Sequence, residues 1–194
     1  MEKHPLIKDI LFTREELQIK IKQVADELNK YYSKQKMKEQ TLVIIGILKS
    51  VVPFMAELVQ HLKFECITEY MLVSSYLGKT KASATPKMLL DINVSIEDRH
   101  VLIVEDILES GATLKYVKNY LGLRNPKEIR TVTLVDRVNN KKRNKSIKTD
   151  FTAIKMETDD FLVGFGFDLD ERLRNLPYLG GLDVEKYQDW NWEK

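Results

Sequence analysis

The chain has 194 residues, of which 43% are hydrophobic and 31% charged, with a formal charge of +2; this suits one globular domain with a sizeable core and demands no polyanionic partner. A single cysteine, Cys66, leaves no basis for a disulfide framework or a cysteine-based zinc site and reads as a buried small residue, while His4, His61 and His100 lack metal-ligand spacing and read as surface or packing residues. Met1 to Asp9 alternates charged with apolar residues, unlike a signal peptide, and nothing approaches the ~20 apolar residues of a membrane span; the expectation is a cytoplasmic protein with no membrane partner.

Thr13-Arg14-Glu15-Glu16 is a capping box, and Leu17, Ile21, Val24 and Leu28 follow at helical spacing, which predicts a first helix over Arg14 to Tyr32. After a lysine-rich turn, Leu42 to Leu48 reads as a buried strand. Lys49-Ser50 forms a bend, and Pro53 suits the first turn of a helix that carries Phe54, Leu58 and Leu62 inward. Cys66 to Val73 reads as another strand. The polar, small and proline-containing segment from Ser74 to Met88 that follows is a candidate mobile lid.

Residues Val101 to Leu114 hold the densest chemistry. Val101 to Val104 reads as a strand covered on both faces, and Glu105 and Asp106 fall where it runs out, the place where ligands bind in open α/β sheets. Ser110, Gly111 and Thr113 come next, ahead of Leu114, Val117 and Leu121 at helical spacing, so the small residues stand at a helix start. Free N–H groups and the positive dipole end there can hold a phosphate, while the acid pair can accept from the vicinal hydroxyls of a ribose. Further on, Ile129 to Val135 reads as a strand. The basic stretch from Arg137 to Lys148 lacks interleaved aromatics and reads as a solvated loop rather than a nucleic-acid patch. Strands are expected near Phe151 to Met156 and Phe161 to Phe167. The alternation predicts an α/β fold: a twisted, mostly parallel sheet with helices on both faces, one domain over residues 1–194, and a small hood from the two chain ends.

Val-Glu-Asp-Ile-Leu-Glu-Ser-Gly-Ala-Thr, residues 104–113, resembles the phosphoribosyl pyrophosphate signature of the phosphoribosyltransferases, and is most similar to the version of the hypoxanthine-guanine group. Four more segments resemble that family in the same order, so the likeness spans most of the chain. It implies the type I phosphoribosyltransferase fold and a magnesium-dependent transfer of phosphoribosyl from phosphoribosyl pyrophosphate to hypoxanthine or guanine, a purine-salvage reaction giving IMP or GMP. In that likeness Glu105 and Asp106 hold the ribose, partly through magnesium, and Ser110, Gly111, Ala112 and Thr113 hold its phosphate. Leu48-Lys49-Ser50 resembles the pyrophosphate loop, in which a non-proline cis peptide often turns N–H groups toward the leaving group, and assigns Lys49 and Ser50 to pyrophosphate. Ser75-Tyr76 resembles the pair that closes over the reacting centre and excludes water. Phe161 to Asp168 resembles the purine-and-metal segment: Phe161 stacks, the Leu162 backbone reads the base edge and Asp168 anchors magnesium. Asp170 to Tyr178 places Arg174 on the departing pyrophosphate. The family is usually dimeric or tetrameric, which makes a homodimer or homotetramer the expectation here, with no nucleic-acid partner.

The chain departs from that pattern at two reactive positions. Glu109 stands where the family has aspartate, and serves either as the base that takes the purine imidazole proton or as a nearby negative charge. Arg137 stands near the family's purine-reading lysine, and its larger forked head leaves room for xanthine among the bases. Two alternatives to the salvage enzyme follow from these departures: transfer to another base, or a regulatory protein that keeps the pocket and turns over poorly.

Overall fold

The computed structural model describes residues 2–35, 41–74, 86–141, 144 and 146–193. In chain order the elements are β1 (Ile7–Phe12), α1 (Arg14–Tyr32), β2 (Leu42–Leu48), α2 (Val52–Gln60), β3 (Cys66–Ser74), β4 (Lys87–Leu90), β5 (His100–Leu108), α3 (Ala112–Gly122), β6 (Glu128–Arg137), β7 (Phe151–Met156), β8 (Leu162–Val163), β9 (Leu179–Leu182) and α4 (Val184–Gln188). The main sheet has the order β4-β3-β2-β5-β6-β7. All its pairs are parallel except β3 with β4, so the mostly parallel α/β architecture is as expected.

Alternation along the central strands explains why both faces are covered. Leu42 and Ile44 of β2, with Leu102 and Val104 of β5, join the core under α1 and α2, while Val43, Ile45, Val101 and Ile103 join the core under α3. Phe54 and Leu58 of α2 are fully buried on the first face, and Leu114, Val117 and Leu121 of α3 lie on the second, each burial contributing about 1.5–3 kcal/mol. Strands β2 and β5 are neighbours and parallel, yet the helices that follow them leave to opposite faces. That makes their carboxyl ends a topological switch point, where a crevice opens.

Helix α1 begins as its capping box dictates. The Thr13 side chain accepts from the Glu16 N–H while Glu16 accepts from the Thr13 N–H. A second sheet, ordered β1-β9-β8 and antiparallel, is the hood from the chain ends, with its own core of Leu6, Ile7, Val163, Leu169, Tyr178 and Leu182.

Several boundaries differ from expectation for local reasons. Helix α2 stops at Gln60, and Leu62 packs from the turn after it. The segment read as a strand from Phe161 to Phe167 pairs only at Leu162–Val163, because Gly164, Phe165 and Gly166 take positive φ values of 92°, 46° and 98° and turn the chain. Of the segment read as a lid, Ser74 belongs to β3 and Lys87 and Met88 to β4, whereas 75–85 lie outside the described residues. Arg137 is no part of a solvated loop: it ends β6, and its side chain is 12% exposed. Cys66 is half-buried, and His100 is buried beside Glu128. Among the described residues no helix is long and apolar enough to cross a membrane.

Candidate functional site

Two cavities open at the carboxyl ends of β2, β5 and β6, and they share one wall. The larger, about 430 Å³, is lined by Leu48, Lys49 and Ser50 after β2 and by Glu105, Asp106 and the run Glu109 to Thr113. The smaller, about 190 Å³, is lined by Arg137, Phe161, Leu162, Phe167 and Asp168. Ser50, Asp106, Ile107 and Glu109 line both.

The floor of the larger cavity is an acid pair, Glu105 buried and Asp106 half-buried. Glu105 is buried, and its Oε2 has no hydrogen-bond partner among the described residues; burial first, then the neighbouring Asp106 charge, pushes its carboxyl well above the usual range. Asp106 is pushed up to about 6 by burial, against the pull of backbone N–H groups and the Ser50 hydroxyl. A buried acceptor without a donor carries a desolvation cost that a native structure recovers by ligation. Hydroxyl donors and a hard cation are the two ligands that suit it.

Opposite the acids, α3 begins. Gly111 is its N-cap with φ +80°, a conformation that favours glycine, and Ile147 lies so close that an added Cβ would sit 2.9 Å from that side chain. The Ser110 hydroxyl accepts from the Ala112 N–H at 3.2 Å, and no side chain of the N-cap residue closes the helix end. The first-turn N–H groups thus face the cavity as an anion cradle. The third side is the Leu48-Lys49 peptide, which is cis.

Cations stand where the two cavities meet the loop after β8. Arg174 Nη1 donates to Ser50 Oγ at 2.8 Å and to the Gly166 carbonyl at 3.0 Å, and pairs with Asp168 Oδ1 at 2.9 Å. Asp168 Oδ2 accepts from the Glu171 N–H. The remaining head atoms converge on one carboxylate oxygen: Lys49 Nζ and Arg174 Nη2 both donate to Glu171 Oε2, at 2.9 and 3.0 Å. Gly166 makes this junction possible, since its φ is +98° and an added Cβ would meet the Ser50 carbonyl oxygen at 2.1 Å.

In the smaller cavity Arg137 Nη1 donates to Glu109 Oε1 at 2.8 Å and Nη2 donates to the Asp160 carbonyl, so a guanidinium is held across the pocket. Phe161 is 51% exposed, which sets it apart from the core aromatics and leaves a ring face for a planar ligand. The structure therefore brings together Lys49, Ser50, Glu105, Asp106, Glu109 to Thr113, Arg137, Phe161, Leu162, Asp168 and Arg174; Ser75 and Tyr76 lie outside the described residues.

Among the described residues no cluster of three or more His, Cys, Asp or Glu side chains suits a metal ion, so Glu105, Asp106 and Asp168 do not form one cage. Magnesium fits this donor set all the same, because it binds one or two carboxylates and takes further oxygens from water and substrate. Sequence reasoning missed Glu171 and the Asp160 carbonyl. Glu171 stands three residues before Arg174, the guanidinium it pairs with, but its contact with Lys49 spans 122 residues and has no local sign.

The tail of the chain braces the same loop. Tyr187 Oη donates to Asp170 Oδ2, and the Arg172 guanidinium lies 4.5 Å from the centre of the Trp192 ring.

Comparison with known proteins agrees with this geometry. The family model for the phosphoribosyl transferase domain matches residues 13–172. The hypoxanthine-guanine phosphoribosyltransferase of Bacillus subtilis is 39% identical over 188 residues, 97% of this chain and 99% of that protein, and that of Lactococcus lactis is 39% identical over 93% of this chain and 94% of its own. Among solved structures, the Trypanosoma cruzi hypoxanthine phosphoribosyltransferase in complex with its product IMP superposes with a TM-score of 0.87 at 33% identity, covering 95% of this chain and 99% of that one. A Staphylococcus aureus hypoxanthine phosphoribosyltransferase gives a TM-score of 0.84 at 37% identity, over 95% and 96%. A parallel sheet that ends in an acid pair and an anion cradle, matched along nearly its whole length by such relatives, places the chain in the phosphoribosyltransferase family, among its hypoxanthine-guanine members.

Proposed function

We propose that this enzyme transfers the phosphoribosyl group of phosphoribosyl pyrophosphate to hypoxanthine or guanine, releasing pyrophosphate and giving IMP or GMP. The observation that carries the reading is the shared wall. A cavity suited to a sugar phosphate and one suited to a planar base meet at Asp106 and Glu109, where a bond between ribose carbon and purine nitrogen would form.

The chain's own groups account for each step. The first turn of α3 binds the 5′-phosphate, and Glu105 and Asp106 accept from the ribose hydroxyls. Their negative charge also favours the cationic sugar that develops as the bond to pyrophosphate breaks. Arg174 and the Lys49 loop neutralise the leaving group. Phe161 stacks on the base, with the Leu162 backbone at its edge. Arg137 donates to the 6-oxo oxygen, an acceptor that adenine lacks. Glu109, held by Arg137 at the junction, takes the proton from the attacking imidazole nitrogen. Asp168 on the pyrophosphate side and Glu105 and Asp106 on the ribose side would hold magnesium, which would supply positive charge to the diphosphate. Location in the cytoplasm and assembly as a homodimer or homotetramer belong to the same reading.

A pyrophosphate-release assay with hypoxanthine, guanine, xanthine and adenine, with and without magnesium, tests it. Release with the 6-oxopurines only, and only with magnesium, is the expected result. Donor binding without release for any base would replace the enzyme by a regulatory protein.

A further inference from the structure

Lys49 and Arg174 are the cations assigned to pyrophosphate, and a residue of the chain already engages both. Glu171 Oε2 sits between Lys49 Nζ and Arg174 Nη2 at 2.9 and 3.0 Å, as one oxygen of a diphosphate would. We propose that Glu171 is a built-in stand-in for the leaving pyrophosphate: it occupies the two cations before the donor arrives and competes with the diphosphate for them afterwards. The inference rests on the phosphoribosyl-transfer reading above.

Three features separate such a stand-in from a structural ion pair. First, Arg174 does not need Glu171 to stay aimed, since its Nη1 is anchored by Ser50, the Gly166 carbonyl and Asp168. Second, the Glu171 side chain is 64% exposed, so its carboxylate can leave toward solvent and regain its hydration. Third, the backbone beneath it is fixed. Asp170, Glu171 and Leu173 adopt left-handed φ values of 48°, 64° and 65°, and Leu169 and Arg172 exchange backbone hydrogen bonds in both directions. The Gly166 N–H donates to the Arg174 carbonyl, and the Phe165 N–H to that of Leu176. Release of the cations thus requires a side-chain rotation and no refolding of the loop.

The sign of the effect follows. A structural ion pair improves pyrophosphate binding by arranging the cations; a competitor weakens it and hastens product departure. Glu171→Gln removes the charge from an exposed position and leaves the fold alone. Calorimetric titration of magnesium pyrophosphate into the wild type and into Glu171→Gln is the test, together with the KM for donor and kcat. The expected result is pyrophosphate bound about three- to tenfold more tightly by Glu171→Gln, the range that loss of two exposed ion pairs supports, with a lower donor KM. Glu171→Asp, which keeps the charge, should stay near wild type, and in a Lys49→Met background the gain from Glu171→Gln should shrink. Equal or weaker pyrophosphate binding by Glu171→Gln overturns the stand-in while leaving the enzyme reading intact. Failure of the wild type itself to bind pyrophosphate overturns the enzyme reading, and the stand-in with it.

Discussion

Asp106→Asn should make the ligand-free protein more stable and the enzyme useless. In the folded state the Asp106 carboxyl is pushed up to about 6 from an ordinary 3.8, chiefly by burial. The folded protein therefore binds that proton more tightly than the unfolded chain, and stability falls as the pH climbs from about 4 to about 6, then stays low above it. A shift of about 2 units corresponds to about 3 kcal/mol that the ionised carboxylate takes from the empty site at neutral pH. Asparagine keeps the shape and can still accept from the backbone N–H groups, without the charge. Guanidinium unfolding at pH 7.5 should show Asp106→Asn more stable by up to about 3 kcal/mol at unchanged slope, with the gap closing toward pH 4. Saturating donor with magnesium should stabilise the wild type, by about 2.7 kcal/mol at a hundredfold excess over Kd, and leave the variant unmoved. A variant no more stable than wild type at pH 7.5, or a gap that persists at pH 4, would refute the argument that the acid pair is stabilised by its ligand.

The other substitutions probe the remaining walls. Gly166→Ala forces a Cβ into the Ser50 carbonyl at φ +98°, and should cost about 2 kcal/mol or more in chemical unfolding while separating the loops that aim Arg174. Asp168→Asn should lower kcat by ~10²-fold or more and raise the magnesium concentration needed for half activity; an unchanged magnesium dependence would remove it as a ligand. Arg137→Met should lower kcat/KM for hypoxanthine by ~10²-fold and leave adenine, already poor, little changed. Glu109→Gln should leave donor affinity intact and lower turnover by ~10²-fold or more, and a wild-type rate at saturating substrates would strike it from the reacting groups.

What could be read ahead of the structure was local. The capping box at Thr13 and the apolar runs of β2 and β5 declare themselves within a few residues, because a cap needs two side chains three apart and a doubly covered strand needs no alternation. The acid pair and small turn after β5 are equally compact, so most of the larger cavity was legible as a unit. What escaped depends on distant partners. Leu-Gly-Gly-Leu of β9 carries little strand propensity, and it becomes a strand because β1, some 170 residues earlier, and β8 lie against its two edges. Phe-Gly-Phe at 165–167 mimics strand alternation, yet its glycine takes a positive φ to let the Ser50 backbone approach. Glu171 and Lys49 meet across that same junction, which no periodicity records.

The hood gives the two cavities different histories. Every residue lining the larger one falls between Ile47 and Thr113, whereas the smaller depends on β8, whose ladder partner β9 pairs in turn with β1, some 170 residues before it. A chain that has reached residue 150 holds every residue lining the larger cavity and none of the strand that carries Leu162, with Asp168 and Arg174 still to come. A premature stop just before Leu179 thus removes the support of the base half while sparing every side chain that lines the larger cavity.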